Sequence, residues 1–170
     1  MTVAEMMETT QFLTFSLADD IFAIDVIKAK EVLDFSEVTR VPQTPDYMLG
    51  VINLRGSVVP VIDMRRKFKM NAADRTRNSC IVVVEVDVDG EAVTVGALAD
   101  SVREVIDLKP SQIEPAPRIG TRLNTEFIKG MGNLDDRFVI ILDIDKVFSI
   151  DDLVMAKTIT EEMSEETETG

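Results

Sequence analysis

The side chains of this sequence that could do chemistry are almost all carboxylates. The 170 residues include 31 Asp and Glu, a single Cys and no His. Without His, the commonest general base and the commonest transition-metal ligand are both missing, and one Cys cannot complete a zinc site. The chemistry left is acid–base catalysis by paired carboxylates, or the binding of a hard cation such as Mg²⁺ or Ca²⁺.

Two carboxylate pairs are candidates for such a site: Asp143 with Asp145, and Asp25 with Asp63. Against this reading, Asp63 and Asp143 each follow an apolar run at matching positions, which is typical of a capping or turn role. The sequence also contains no Gly-rich phosphate loop. We therefore expect no catalytic residue, metal or cofactor, and keep a carboxylate-based, metal-assisted hydrolase as the alternative.

These aspartates end two copies of one motif. Gly50, Asn53, Leu54 and Asp63 each recur 80 residues later, from Gly130 to Asp143. Each copy reads as an apolar strand, a turn at Asn-Leu and a second, almost wholly apolar strand, which predicts a β-hairpin with a buried return arm. A chain that carries this hairpin once per half predicts two similar β units packed together.

Local signals fill in the rest of each half. Asp89-Gly90 predicts a two-residue hairpin turn. The stretch after residue 26 predicts a short corner followed by a strand through Val32 and Leu33. Pro60 cannot donate to a sheet ladder, so the return arm around it should be an edge strand or contain a bulge.

About five strands per half follow from these signals, and short strands hide their edges by closing on themselves. We expect an all-β fold with a few short helices, built as two small five-stranded β-barrels side by side. An exchange of strands between the halves stays open. The expected divisions are a flexible N-terminus (1–10), the folded domain (11–150), its first barrel half (about 11–75), its second (76–150), a short C-terminal helix (150–159) and an acidic disordered tail (160–170).

The formal net charge is −13, and much of it lies in the C-terminal glutamates. No basic stripe is present, so nucleic-acid binding is disfavoured. No apolar run is long enough to span a membrane, and the first ten residues lack the pattern of a secretory signal. A cytoplasmic protein without direct membrane insertion is expected.

Several segments together resemble the CheW family, the coupling proteins of bacterial chemotaxis. They occur in the family's order over about residues 11–150, and the first hairpin reads Gly-Val-Ile-Asn-Leu-Arg-Gly from Gly50. Their joint occurrence is more specific than any one of them. The matching segments are residues 24–32, 50–56, 59–63, 100–105 and 127–132.

The resemblance implies two Src-homology-3-like barrels with a groove between them, and a scaffold or adaptor without enzymatic activity. Its implied partners are the regulatory domain of the histidine kinase CheA and the cytoplasmic tips of chemoreceptors, in arrays at the inner face of the membrane, with self-association in rings as a further option. The nearest alternative is a CheV-like adaptor lacking its receiver domain, the domain that those proteins carry after the barrels.

Carried over position by position, the resemblance implies a receptor-binding groove. Glu31 and Arg55 would supply charges at its rim, while two glycines would give clearance and the valines an apolar lining. Ala29 departs from the bulkier Val often found there. The kinase contact is implied only as a surface of the first barrel. The implied groove residues are Val26, Ala29, Glu31, Gly50 and Arg55 on one side, and Gly96, Val102 and Val105 on the facing side.

Overall fold

The structure is a computed structural model, and it describes residues 9–70, 76–88, 90–115, 125–134 and 137–148, together with 152, 154–156, 158, 159, 161 and 162. Of the flexible N-terminus expected over residues 1–10, residues 1–8 lie outside the described residues. So do residues 163–170 of the expected tail.

The described residues form eleven β-strands, two short α-helices and three 3₁₀ turns at 26–28, 110–112 and 125–127, besides a further helical stretch between residues 152 and 162. The helices are α1 (Met64–Lys67) and α2 (Ile144–Val147). The strands are β1 (Thr10–Leu17), β2 (Asp20–Asp25), β3 (Ala29–Asp34), β4 (Met48–Leu54), β5 (Ser57–Asp63), β6 (Cys80–Val88), β7 (Glu91–Ala99), β8 (Ser101–Leu108), β9 (Ile113–Glu114), β10 (Ile128–Leu134) and β11 (Arg137–Leu142).

The two halves of the chain exchange their first hairpins. The strand order is β8-β1-β2-β11-β10-β9 in the six-stranded sheet and β3-β6-β7-β5-β4 in the five-stranded sheet. The β1–β2 hairpin of the first half therefore lies between strands of the second half, and the β6–β7 hairpin lies between strands of the first. The exchange that the sequence left open is present, and neither sheet follows the division at residue 75.

The exchange is symmetric between the repeats. In one sheet Ile141 of β11 pairs in parallel with Ala23 of β2, and in the other Val61 of β5 pairs in parallel with Gly96 of β7. Ile141 and Val61 are 80 positions apart, the spacing of the repeated hairpins. The same unit is thus built twice, each time with the other half's hairpin at its centre.

The apolar core has three parts. The largest cluster lies between the two sheets and includes Phe15 and Phe22 from one sheet and Val82 and Val84 from the other. Two smaller clusters lie on the opposite faces, because neighbouring residues of a strand point to opposite sides. In β6, Val82 and Val84 belong to the central cluster while Ile81 and Val83 belong to a smaller one. Burial on both faces explains why these strands read as unbroken apolar runs.

The prediction of an all-β fold with few short helices is confirmed, but the expected closed five-stranded barrels are wrong. One sheet has six strands because β9 adds to β10. Among the described residues, the end strands β8 and β9 do not pair with each other, nor do β3 and β4. The shared central core makes closure unnecessary, since each sheet covers a face of the other.

Most local predictions hold. The β6–β7 pairing runs to Val88 opposite Glu91, which leaves the two-residue loop 89–90, and Gly90 has a φ of 85°. The corner after β2 is a 3₁₀ turn followed directly by β3. The prediction for the strand that contains Pro60 does not hold. That strand, β5, lies inside the sheet, and the bulge is in its neighbour β4, between Met48 and Gly50. The ladder between β5 and β7 begins at Val61, one residue after the missing N–H.

The described residues between 152 and 162 are helical. Ala156 and Ile159 are buried in the central cluster. Glu161 and Glu162 are helical as well, so the helix extends into the stretch expected to be tail. Within the described residues, no helix is long and apolar enough to span a membrane.

Candidate functional site

A cavity of about 730 Å³ lies on the five-stranded sheet beside Glu31 and Arg55, and it is here called the Arg55 cavity. Its walls come from β3, the β4–β5 hairpin, β6, β7 and Glu161 of the C-terminal helical stretch. Its lining includes Lys30, Glu31, Leu54, Arg55, Ser57, Ala92, Val93, Thr94 and Glu161.

The β4–β5 turn places Arg55 at the rim of this cavity. Leu54 pairs with Ser57, so Arg55 and Gly56 form a two-residue loop. Both have positive φ, 51° and 87°, as a tight turn between twisted strands requires. The Asn53 side chain accepts a hydrogen bond from the Gly56 amide at 2.9 Å and so fixes the loop. The result is a rigid support that projects one guanidinium outward.

Arg55 donates to the carboxylate of Glu31 on β3, and most of the Arg55 side chain is in solvent. The side chain of Arg55 is 74% exposed and that of Glu31 is 26% exposed. An ion pair at this exposure contributes little to the stability of the fold, about 0–1 kcal/mol. Breaking this ion pair to bind a partner would therefore lower the stability of the fold only slightly.

The predicted valines lie elsewhere. Val26 follows β2 in the 3₁₀ turn and is half-buried, as is Ala29 at the start of β3. Val102 is half-buried against the central cluster, whereas Val105 on the same strand is 48% exposed. Ala29 and Val102 each pack against the central cluster. None of the predicted valines lines the Arg55 cavity.

Two exposed apolar residues on or just before β3 were missed by the sequence reasoning. Val32 on the edge strand β3 is 42% exposed, and Ile27 in the preceding turn is more exposed still. A signal for Val32 was present, because the run from Glu31 to Asp34 matches the run from Glu104 to Asp107, which puts Val32 in register with Val105. Each sheet thus presents one exposed valine on an end strand.

The clearance predicted at two glycines is used by the chain itself. A Cβ on Gly50, which has a φ of 149°, would lie 2.0 Å from the carbonyl oxygen of Thr39. A Cβ on Gly96 would lie 2.8 Å from a methyl group of Ile81. Gly96 also lies in the same sheet as Gly50 and not on a facing unit. Both glycines are buried, and each makes room for packing within the five-stranded sheet.

The structure therefore brings together only part of the predicted groove. Glu31 and Arg55 meet at one cavity, with Lys30 and Glu161 as additional neighbours. The space between the sheets is filled by the central cluster, so it does not form an open groove along its length.

Each of the four aspartates considered for chemistry has a structural partner. Asp63 caps α1 by accepting from the amides of Arg65 and Arg66, and Asp143 caps α2 by accepting from the amide of Asp145. These caps confirm the predicted role. Asp25 accepts from the Ile27 amide, and Asp145 pairs with Lys28 at 3.0 Å. In the part of the chain that the structure describes, no group of three or more His, Cys, Asp or Glu side chains is arranged to hold a metal ion.

Comparison with known proteins decides the family. The family profile of the CheW-like domain matches residues 11–152, which contain every strand but the first residue of β1. The chain belongs to the CheW family.

Individual relatives agree with this assignment. The chain is 36% identical over 149 residues to the chemotaxis protein CheW of Klebsiella aerogenes, covering 88% of this chain and 87% of that protein. It is 35% identical over 144 residues to the chemotaxis protein CheW of Helicobacter pylori, covering 85% and 84%.

A crystal structure, that of the scaffolding protein TtCheW from Thermoanaerobacter tengcongensis, superposes with a TM-score of 0.74 at 33% identity. It covers 82% of this chain and 88% of that one. The CheW fold therefore extends over both sheets, and every residue that lines the Arg55 cavity except Glu161 lies within the matched residues 11–152.

Proposed function

We propose that this protein is a non-enzymatic scaffold that couples chemoreceptors to the histidine kinase CheA in bacterial chemotaxis. It would bind the cytoplasmic tips of the receptors and the regulatory domain of the kinase, and would also associate with its own kind in rings. It would act in the cytoplasm, recruited to receptor arrays at the inner face of the membrane, and would use no cofactor or metal.

The observation that carries this proposal is the match to the CheW-like domain over residues 11–152. The chemistry of the surface supports it. The carboxylates considered for catalysis cap helices or form ion pairs, which leaves recognition as the use of the exposed side chains. Recognition of a helical segment needs apolar contact area with a few charges that set the register.

For the receptor site we propose the Arg55 cavity as the charged part. Arg55 and Glu31 form its polar rim, and Lys30 lies beside them. Val32 follows Glu31 directly on the edge strand β3 and is exposed. In this proposal Gly50 and Gly96 support the surface from inside the sheet, while Val26, Ala29, Val102 and Val105 belong to the wider receptor-facing region.

The kinase contact is proposed on the unit that contains β3, β4 and β5, the strands of the first barrel half. Because β6 and β7 lie in the same sheet, this surface also includes residues of the second half. The kinase contact and the Arg55 cavity would then lie on one continuous sheet.

Reconstitution tests the proposal directly. Receptor in membranes, kinase and this protein are combined, and kinase autophosphorylation is measured with and without attractant. We expect receptor control of the kinase only when this protein is added, because coupling requires both contacts at once. Normal receptor control in the mixture without this protein would contradict the proposal.

A further inference from the structure

The C-terminal helix is fixed to the body of the protein at its start and along one face. Asp152 is buried and accepts hydrogen bonds from the Tyr47 hydroxyl and the Lys67 ammonium group. Ala156 and Ile159, three positions apart and so on one side of the helix, are buried in the central cluster. These contacts determine where the end of the helix lies.

Glu161 of this helix lies at the Arg55 cavity and forms part of its lining. The other charged residues of the lining are two cations, Lys30 and Arg55, and two carboxylates, Glu31 and Glu91. Without Glu161, cations and carboxylates in the lining are equal in number. The chain itself thus supplies a third carboxylate to a surface with two exposed cations.

The two cations are accessible to a competing carboxylate. Lys30 pairs with Glu85 at 3.1 Å, and its side chain is about half exposed. Arg55 is more exposed still, and its pairing with Glu31 is correspondingly weak. A partner that offers a carboxylate to these groups would meet Glu161 in the same space, both as an occupant and as a like charge.

We propose that Glu161 of the C-terminal helix is an internal competitor for the Arg55 cavity, which a receptor segment carrying a carboxylate must displace. This inference rests on the proposed function. It adds two points. The partner carries an acidic side chain on a helical segment, and competition by Glu161 sets the affinity of this protein for that partner. The population of protein with the helix end displaced limits the apparent affinity.

Neighbouring glutamates provide a matched pair of variants. Glu161 lines the cavity, whereas Glu162 is equally helical and exposed but does not line it. The probe is a soluble fragment of the cytoplasmic hairpin tip of a chemoreceptor from the same organism. We expect Glu161→Gln, and a chain ending at residue 160, to bind it about twofold to fivefold more tightly than the full chain. Glu162→Gln should leave the affinity unchanged.

A cross-linking experiment tests the position of the helix end without any receptor. In a Cys80→Ser background, Glu161→Cys and Ala92→Cys are joined with a reducible bismaleimide, because both residues line the cavity. The control pair is Val154→Cys with Ala92→Cys, since Val154 is exposed at an earlier turn of the helix and is not in the lining. We expect efficient intramolecular cross-linking only for the first pair. The cross-linked protein should bind the receptor fragment at least about tenfold more weakly, with recovery on reduction.

The outcomes separate this inference from the proposed function. Equal affinities of the full chain, Glu161→Gln and the shortened chain for the receptor fragment would overturn the inference while leaving the function intact. Failure of every form to bind the fragment would remove the proposed function and, with it, the competition. Absence of cross-linking between positions 161 and 92 would overturn the inference whatever the receptor fragment does.

Discussion

At the scale of single residues, the two repeated turns share the Asn-Leu pair that precedes them but not the charge that follows it. Asn53 and Leu54 recur as Asn133 and Leu134, but Arg55 stands where the second copy has Asp135. The backbone of the first turn requires positive φ at Arg55, an unusual conformation for a residue with a long side chain. An Asn or Gly would fit the turn with less strain, so a demand beyond the turn itself favours Arg at this position.

Replacing Arg55 should separate binding from folding. We expect Arg55→Ala to weaken binding of the receptor fragment by about 1–2 kcal/mol, roughly fivefold to thirtyfold, because a charged contact at the rim is lost. The melting temperature should stay nearly the same, since the Arg55–Glu31 pair is exposed. Isothermal titration and thermal denaturation measure the two effects.

Arg77→Ala is the control, because Arg77 is exposed in the described segment before β6 and is not part of the cavity lining. Equal affinities of the Arg55→Ala protein and the parent protein would remove Arg55 from the site.

At the scale of elements, ion pairs fasten both crossings of the chain between the sheets. Where the chain leaves β7 for β8, Asp100 accepts from Arg65 of α1 at 2.8 Å and from the Ala18 amide at 2.7 Å. Where it leaves β2 for β3, Lys28 pairs with Asp145 of α2. Arg65 and Asp145 are 80 positions apart, so the repeat keeps this connection with the charges reversed.

The Asp100 connection should give a pH-dependent contribution to stability. Burial alone would raise the pKa of Asp100, but the hydrogen bonds from Arg65 and Ala18 and the charge of Arg65 lower that pKa below its ordinary value of 3.8. A carboxylate with a lowered pKa in the folded state stabilises the fold at pH values above the unfolded pKa. That contribution is lost as pH falls through the folded pKa.

We therefore expect Asp100→Asn to lower the free energy of unfolding by about 1–2 kcal/mol at pH 7, and by progressively less as pH falls below about 4. Urea denaturation at a series of pH values measures this difference. Asp107→Asn, at an exposed position of β8, should change the free energy of unfolding by less than about 0.5 kcal/mol at pH 7. A deficit of Asp100→Asn that stays constant down to pH 2 would contradict the assignment.

At the scale of the whole molecule, the exchange of hairpins makes the two halves one folding unit. The β1–β2 hairpin pairs with β8 and β11, and the β6–β7 hairpin pairs with β3 and β5. The central cluster draws on both sheets, so neither half can bury its apolar residues alone. A partner that binds one sheet is therefore connected to the other sheet through the shared central cluster.

Fragments should show this dependence. We expect residues 1–73 and residues 74–170, expressed separately, to lack a cooperative unfolding transition, because each hairpin then has no sheet to enter. Mixed in equal amounts, they should form a one-to-one complex that recovers the β-type circular dichroism and the transition of the intact chain. Calorimetry and sedimentation velocity measure both properties, with the intact chain as reference. Cooperative folding of either fragment as a monomer would show that the exchange is dispensable.

The sequence by itself determined the local units of this protein. The hairpins, the Asp89-Gly90 loop and the caps at Asp63 and Asp143 follow from turn residues and period-two patterns, which act between near neighbours. The repeat spacing and the family resemblance also lie in the sequence alone. The identity of Arg55 and Glu31 as rim residues came from that resemblance, and the structure brings the two together.

Only the tertiary structure decided which sheet receives each hairpin. Strands such as β6 are apolar on both faces, so they fit equally well beside several partners, and the choice depends on how all three apolar clusters fill at once. For the same reason the sequence could not tell that Gly50 and Gly96 make room for this chain's own Thr39 and Ile81. Nor could it place Glu161 at the Arg55 cavity. That position depends on contacts of Asp152, Ala156 and Ile159 with residues far away in the chain.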